Sequence, residues 1–487
     1  MAGPELRYGT PAGRWVVVAT VLGSGVAFLD GSVVNVALPA IGRDLHASIS
    51  ALQWILDSYL LTLSALLLLG GSLGDIYGRK RVYIIGLVAF TVASLLCGVA
   101  PNAGALVAAR ALQGVGGALL VPGSLAILSA AFRPDDRPVA ISAWAGLAGV
   151  ASAVGPFVGG WLVQAVSWRL VFFINLPVAA VAVLVTVRHV PETRDEESDH
   201  RPDVPGAVSA AVGLGGLTYV LIEARHLSAV GIIGLSLVAA AAIVAFAVVE
   251  LRSAHPMLPF SLFKSRQFTG ANLTTLAVYA GLGGAFFLLV LMLQDVLGYK
   301  PVPAGAALLP VTFLVMILSA RSGALSRRIG PRLPMTVGPI VMAAGFVLVG
   351  RLHPGDSYWA GVLPGVVLLG LGLTLVVGPL TAAVLATVEE RHLGAASAAN
   401  NMVARVAGLL AVALLPGVAG MGGAAGDRTA LLHGFGRAMD VTAALCVAGG
   451  LVAFATIRQA VAVTSTTHPS ITTGCQARDL CQAESAA

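Results

Sequence analysis

Long apolar runs broken by short polar stretches recur along all 487 residues, and their length decides what they are. A helix that crosses a bilayer needs about 20 apolar residues. Runs of that kind lie at roughly 15–39, 52–71, 82–100, 104–131, 139–165, 170–188, 206–224, 229–250, 268–293, 303–325, 333–350, 359–386, 396–420 and 437–457. They are continuous, as in LLTLSALLLLGGSLG (Leu60 to Gly74), whereas a membrane barrel shows alternating segments of about ten residues. The pattern predicts an all-α polytopic membrane protein with about fourteen transmembrane helices. The first run is too long for the apolar part of a signal peptide and has no small-residue cleavage site, so it reads as the first span.

The polar breaks divide the chain. The longest, 189–205 (HVPETRDEESDHRPDVP), is acidic and proline-bearing and reads as a solvated linker. It separates a six-helix bundle over 15–188 from two further helices over 206–251 and a second six-helix bundle over 268–457. A polar tail occupies 459–487 and is expected to be disordered. A faint repeat links the two bundles: Gly71, Leu73, Asp75, Gly78, Arg79 and Lys80 recur, at a constant offset of 252, as Gly323, Leu325, Arg327, Gly330, Pro331 and Arg332. Repeated halves mark many secondary transporters.

Composition removes the soluble alternatives. Only 11% of residues are charged and 57% are hydrophobic, against about 25% charged in soluble proteins, so a soluble enzyme, a nucleic-acid binder and a disordered chain are all excluded. The net charge of +6 sets topology instead. With the N-terminus inside, about 20 of the 29 Lys and Arg fall in inside loops and about 7 outside, which predicts both termini cytoplasmic. Scarce Lys beside Arg, with abundant Ala, Gly and Val, fits a bacterial plasma membrane. Cys97 and Cys446 lie in apolar runs as small hydrophobes, and Cys475 and Cys481 lack the paired spacing of a zinc site. No metal is expected, and without a P-loop no ATP.

Several segments carry a recognisable signature. GSLGDIYGRKRV (Gly71 to Val82) resembles the loop between spans 2 and 3 of the major facilitator superfamily. LVAARALQGVGGA (Leu106 to Ala118) resembles its span 4 motif, and GPFVGG (Gly155 to Gly160) the span 5 motif of antiporters. LDGSVVNVALP (Leu29 to Pro39) and WRLVFFINLP (Trp168 to Pro177) narrow the resemblance to the fourteen-span drug:proton antiporters, over about Trp15 to Arg458. The resemblance implies two six-helix bundles plus two extra helices, working by alternating access. It also implies that Asp75, Arg79 and Lys80 act as a latch favouring the outward-facing state. Ile76 stands where many relatives carry a basic residue, which thins that network. Gly155, Pro156, Gly159 and Gly160 give a flat, kinked helix face suited to a gating contact.

Charges inside the membrane are costly and mark function. Asp30 falls near the middle of span 1, and Arg110 lies within span 4 with Gln113 one turn away on the same face. A desolvated carboxylate exchanges protons near neutral pH, so Asp30 is the first candidate for proton coupling. Arg110 and Gln113 tune it, and Arg405 in ANNMVARVAG is a third charge of the cavity. Asp57, in the family-like block WILDSYLL, is the second coupling candidate, although it, Glu223, Asp295 and Asp440 all sit near helix ends where a carboxylate is normally solvated. The expected function is export of small lipophilic or cationic compounds, drugs and antibiotics among them, in exchange for protons. The alternatives are an exporter of one dedicated metabolite and a proton symporter for a nutrient. No catalytic constellation is present, so no enzyme is expected. The partners are a small-molecule substrate, protons and the lipid bilayer, with no nucleic acid and a monomeric chain.

Overall fold

Short polar residues between the apolar runs start the helices. Thr10, Ser48, Asn102, Ser228 and Ser265 each accept a hydrogen bond from a first-turn amide, which satisfies a donor the helix cannot. The computed structural model describes residues 6–194, 202–253, 258, 260–385, 388, 393–421 and 428–458. Most of the acidic linker, the tail 459–487, Cys475 and Cys481 lie outside the described residues. Among the described residues there are fourteen helices long and apolar enough to cross a membrane, and no β-strand.

They are α1 Pro11–Asp44, α2 Ile49–Tyr77, α3 Arg79–Gly98, α4 Ala103–Ala131, α5 Val139–Ala165, α6 Leu170–His189 and α7 Val204–Glu223. There follow α8 Ala229–Arg252, α9 Arg266–Val296, α10 Pro301–Ile329, α11 Arg332–Val349, α12 Tyr358–Val384, α13 Ala396–Val418 and α14 Arg428–Thr456. Every predicted run becomes a helix. Helices α1, α2, α9 and α10 extend beyond their apolar runs by two to six residues at each end, because polar end turns add to the helix without adding to its hydrophobic length.

Helices α1–α6 pack mainly among themselves, as do α9–α14, and the two groups meet along three seams: α1 with α9, α2 with α13, and α5 with α10. The repeat seen in the sequence is structural. Gly78 after α2 and Gly330 after α10, 252 residues apart, both adopt positive φ (103° and 82°), the turn a side chain would strain. The extra pair α7 and α8 packs together, and α7 lies across the α2–α13 seam, touching both groups. Helix α8 is almost wholly exposed, with large side chains such as Val230 and Leu237 facing outward, as a lipid-facing helix requires.

We call the face where α1 ends and α2 begins the far face, and the face holding the start of α1 the near face. Described bonds between the two groups cluster towards the far face. Gln294 Nε2 donates to the Val36 carbonyl at 2.9 Å, and Gln53 Nε2 donates to the Val412 and Ala413 carbonyls at 2.6 and 3.0 Å. Arg43 pairs with Asp295 at 3.0 Å, and the Val302 amide donates to Gln164 Oε1 at 3.3 Å. Arg43 and Asp295 are themselves 252 residues apart, so equivalent positions of the two halves meet each other.

Candidate functional site

Five helices converge on Asp30. α1 carries it two to three residues past its own midpoint, and its side chain has no solvent exposure. Arg110 Nη1 on α4 pairs with Asp30 Oδ2 at 2.5 Å, while Gln113 Nε2 and Asn175 Nδ2 donate to Asp30 Oδ1 at 2.9 and 3.0 Å. Arg110 is 1% exposed. Its Nη1 also donates to Gln113 Oε1 at 2.7 Å, its Nε to the Ile55 carbonyl on α2 at 3.1 Å, and its guanidinium lies 4.2 Å from the centre of the Tyr59 ring. Ser94 on α3 accepts from Asn175 Nδ2 at 3.0 Å and donates to the Phe172 carbonyl at 2.8 Å. A buried charge pair is stable only when hydrogen bonds occupy its remaining donors and acceptors; here both Asp30 oxygens and the Arg110 Nε and Nη1 donors are occupied, while Asn175 Oδ1 is buried without a partner. All these residues belong to α1–α6.

Asp57 is the opposite case. Nine residues into α2 it is 0% exposed, and neither carboxyl oxygen has a hydrogen-bond partner. The expectation of a solvated, interfacial acid is therefore overturned: helices packed on α2 from both halves and from the extra pair leave this position dry. Gln53, one turn earlier on the same face, is the residue that bonds across to α13. Arg405 on α13 is half-buried, and its Nε is buried without a partner.

The other acids near helix ends are paired at the far face. Glu223 accepts from Trp54 Nε1 at 3.0 Å, Asp295 meets Arg43, and Asp440 lies 3.5 Å from Arg351. In the near-face loop Arg79 bonds Asp75 at 2.8 Å, and Lys80 Nζ reaches the Val187 carbonyl at 2.9 Å. The Lys80 and Arg81 amides donate to the Glu192 carboxylate at 3.0 and 3.2 Å. These described partners of the cluster all come from α1–α6 and the segment after α6.

On α5 the glycines separate into two sets. A Cβ on Gly160 would lie 2.4 Å from the Pro301 carbonyl oxygen on α10, and one on Gly305 of α10 would lie 2.1 Å from the Pro156 carbonyl oxygen. Gly155 and Gly159 face α1, at Ser32 and Val33. Gly146 and Gly149 face open space.

Sequence reasoning missed Asn175, Tyr59, Ser94 and Glu192. Asn175 lies inside the family-like block WRLVFFINLP, so a signal for it existed. The others are ordinary residue types whose role appears only when helices pack. A second polar cluster in the other half was missed likewise: Asn400 Nδ2 donates to Asn272 Oδ1 at 3.1 Å and to Thr275 Oγ1 at 2.8 Å.

A fourteen-helix bundle of two related halves, closed at one face and holding a buried charge network, defines a secondary transporter. The sequence profile of the Major Facilitator Superfamily matches residues 20–412, and the chain belongs to that family. It is 36% identical over 412 residues to the puromycin resistance protein pur8 of Streptomyces alboniger, covering 83% of this chain and 81% of that one. It is 35% identical over 409 residues to the methylenomycin A resistance protein of Bacillus subtilis, covering 82% and 86%. The same fold occurs in a bacterial homolog of the human lysosomal transporter Spinster in an inward-facing, unoccupied conformation, with a TM-score of 0.66 at 15% identity over 92% of this chain and 97% of that one. It also occurs in the peptide transporter POT in complex with sulfate, with a TM-score of 0.65 at 16% identity over 94% and 98%. The protein is thus a multi-pass membrane transporter of small molecules.

Proposed function

We propose that this protein exports small lipophilic or cationic compounds, antibiotics among them, across a bacterial plasma membrane in exchange for protons. Its relatives named for puromycin and methylenomycin A resistance support the substrate class. The charge bias of the loops supports cytoplasmic termini; on that reading the far face is outside, and the cross-half bonds gathered there support a state closed to the outside.

The observation that carries proton coupling is Asp57. Burying an ionised carboxylate without a partner costs several kcal/mol, so the carboxyl holds a proton in this state. Its neighbour Gln53 bonds α13 across a seam that must part when the far face opens. Opening would admit water to Asp57 from outside, so that the carboxyl takes up its proton there, carries it into the present state and gives it up to the cytoplasm as substrate binds. Asp30 is the second acid: a proton on it would leave Arg110 buried without its counter-charge and force the network to rearrange. Asp75, Arg79 and Lys80 act as the near-face latch, which engages the second half only in the opposite state.

The test is transport in proteoliposomes under an imposed pH gradient, following a fluorescent lipophilic cation and protons together. The parent should move them in opposite directions. Asp57→Asn and Asp30→Asn should still bind the cation while losing gradient-driven accumulation at least tenfold. Normal pumping by both variants would remove proton coupling from these acids, and movement of cation and protons in the same direction would reject antiport.

A further inference from the structure

A cavity of about 510 Å³ opens at the far face between α2, α7 and α13, away from the Asp30 network. Its walls come from both halves and from the extra helix: Ser48 and Gln53 beside α2, Val220 on α7, and Leu414 and Gly417 on α13. Its volume falls within the roughly 300–1,000 Å³ of small-ligand sites. Arg225 and His226, in the turn after α7, are exposed at its rim, and among the described residues no Asp or Glu lines it. Arg225 Nη2 lies 3.5 Å from the Gly417 carbonyl, which spans the rim from α7 to α13. Leu414 and Val418, in the last two turns of α13, are 39% and 52% exposed, so the cavity continues onto an apolar surface.

We propose that this cavity binds an anionic phospholipid from the leaflet at the far face. The headgroup phosphate meets Arg225, His226 and the Ser48 and Ser50 hydroxyls, and an acyl chain lies along Val220, Leu414 and Val418. The charge of the rim selects an anion, and the exposed apolar wall selects one that carries a chain. A soluble anion would leave that wall uncovered. The bound lipid touches α2 and α13 at once, the pair joined by Gln53. It therefore favours the state in which the far face is closed, since only that state holds the cavity together. The extra helix α7 thereby gains a role: it makes the third wall of a lipid site on a moving seam.

Native mass spectrometry of the full chain, purified and titrated with phosphatidylglycerol or with phosphatidylcholine of the same chains, tests this. The parent should retain phosphatidylglycerol in at least fivefold preference. The double substitution Arg225→Gln with His226→Gln should lower that retention about fivefold or more while leaving phosphatidylcholine unchanged, the effect of removing one or two headgroup-level charges. Val220→Trp, which fills the cavity, should lower retention of both lipids. Hydrogen exchange in α2 near Gln53 should slow when phosphatidylglycerol is added to the parent and should not change in the double variant. Equal retention of the two lipids by the parent would overturn the proposal. So would a double variant that retains as much phosphatidylglycerol as the parent, which would show that the cations only cap the ends of α7 and α13. Displacement of the lipid by glycerol phosphate at equal concentration would reassign the site to a soluble anion.

Discussion

Asp30 and Asp57 are equally dry, yet one is bonded on both oxygens and the other on neither. That contrast gives them different energetics. Truncating Arg110 to Ala should leave Asp30 as an uncompensated buried charge and lower stability by about 3–5 kcal/mol, read as a fall in the unfolding midpoint in detergent. Arg110→Lys should recover little of this, because a lysine has no Nε–H for the Ile55 carbonyl and no planar face for Tyr59. If Arg110→Lys matched the parent, the fork geometry would be irrelevant and only charge would count. The sequence made half of this site legible. Arg110 and Gln113 stand three apart on a helix, a spacing that puts both on one face, and an Asp in the middle of an apolar run announces itself. Asn175 and Tyr59 reach Asp30 and Arg110 only through tertiary packing, for which a single sequence has no period. Counted from a helix end Asp57 reads as interfacial, and counting along one helix does not see the helices packed against it.

At the scale of the element, α5 shows why a run of glycines is not one feature. Gly160 meets the backbone of α10 at Pro301, which cannot swing aside, whereas Gly146 and Gly149 meet nothing. Gly160→Ala should therefore force α5 and α10 apart and lower stability by about 1–3 kcal/mol, the cost of overpacking. Gly146→Ala and Gly149→Ala should be neutral or stabilising by up to about 1 kcal/mol, because alanine is the better helix former. Thermal unfolding of the three variants in one detergent separates them, and a uniform loss would mean that α5 needs small residues along its whole length. Gly155 and Gly159, against α1, fall between these extremes because a side chain is among their nearest neighbours. The glycine motif itself was legible in the sequence. Which of its members touch a backbone depends on the azimuth of α5 against α1 and α10, which its uniformly apolar surroundings leave undetermined.

For the whole molecule, the closed far face is a meeting of equivalents. Arg43 ends α1 and Asp295 ends α9, the two first helices of related halves, and their offset of 252 is the offset of the sequence repeat. A contact at the far face, distant from the pivot about which the halves rock, serves as a gate because opening that face must break it. An exposed ion pair contributes little to stability, about 0–1 kcal/mol, but the same amount acting on a two-state equilibrium changes the ratio of states severalfold. Asp295→Arg places a third arginine beside Arg43 and Arg428, whose Nε already donates to the Asp295 carbonyl at 2.6 Å. That variant should open the far face at least fivefold more often. The exchanged pair, Arg43→Asp with Asp295→Arg, should close it again. A cysteine at Asn35, beside the seam on α1, reports the opening when intact cells are treated from outside with a membrane-impermeant thiol reagent. Faster labelling in Asp295→Arg, reversed in the exchanged pair, fits an outer gate held by this contact. Labelling that is fast in the parent would place the far face, and with it the whole topology, the other way round.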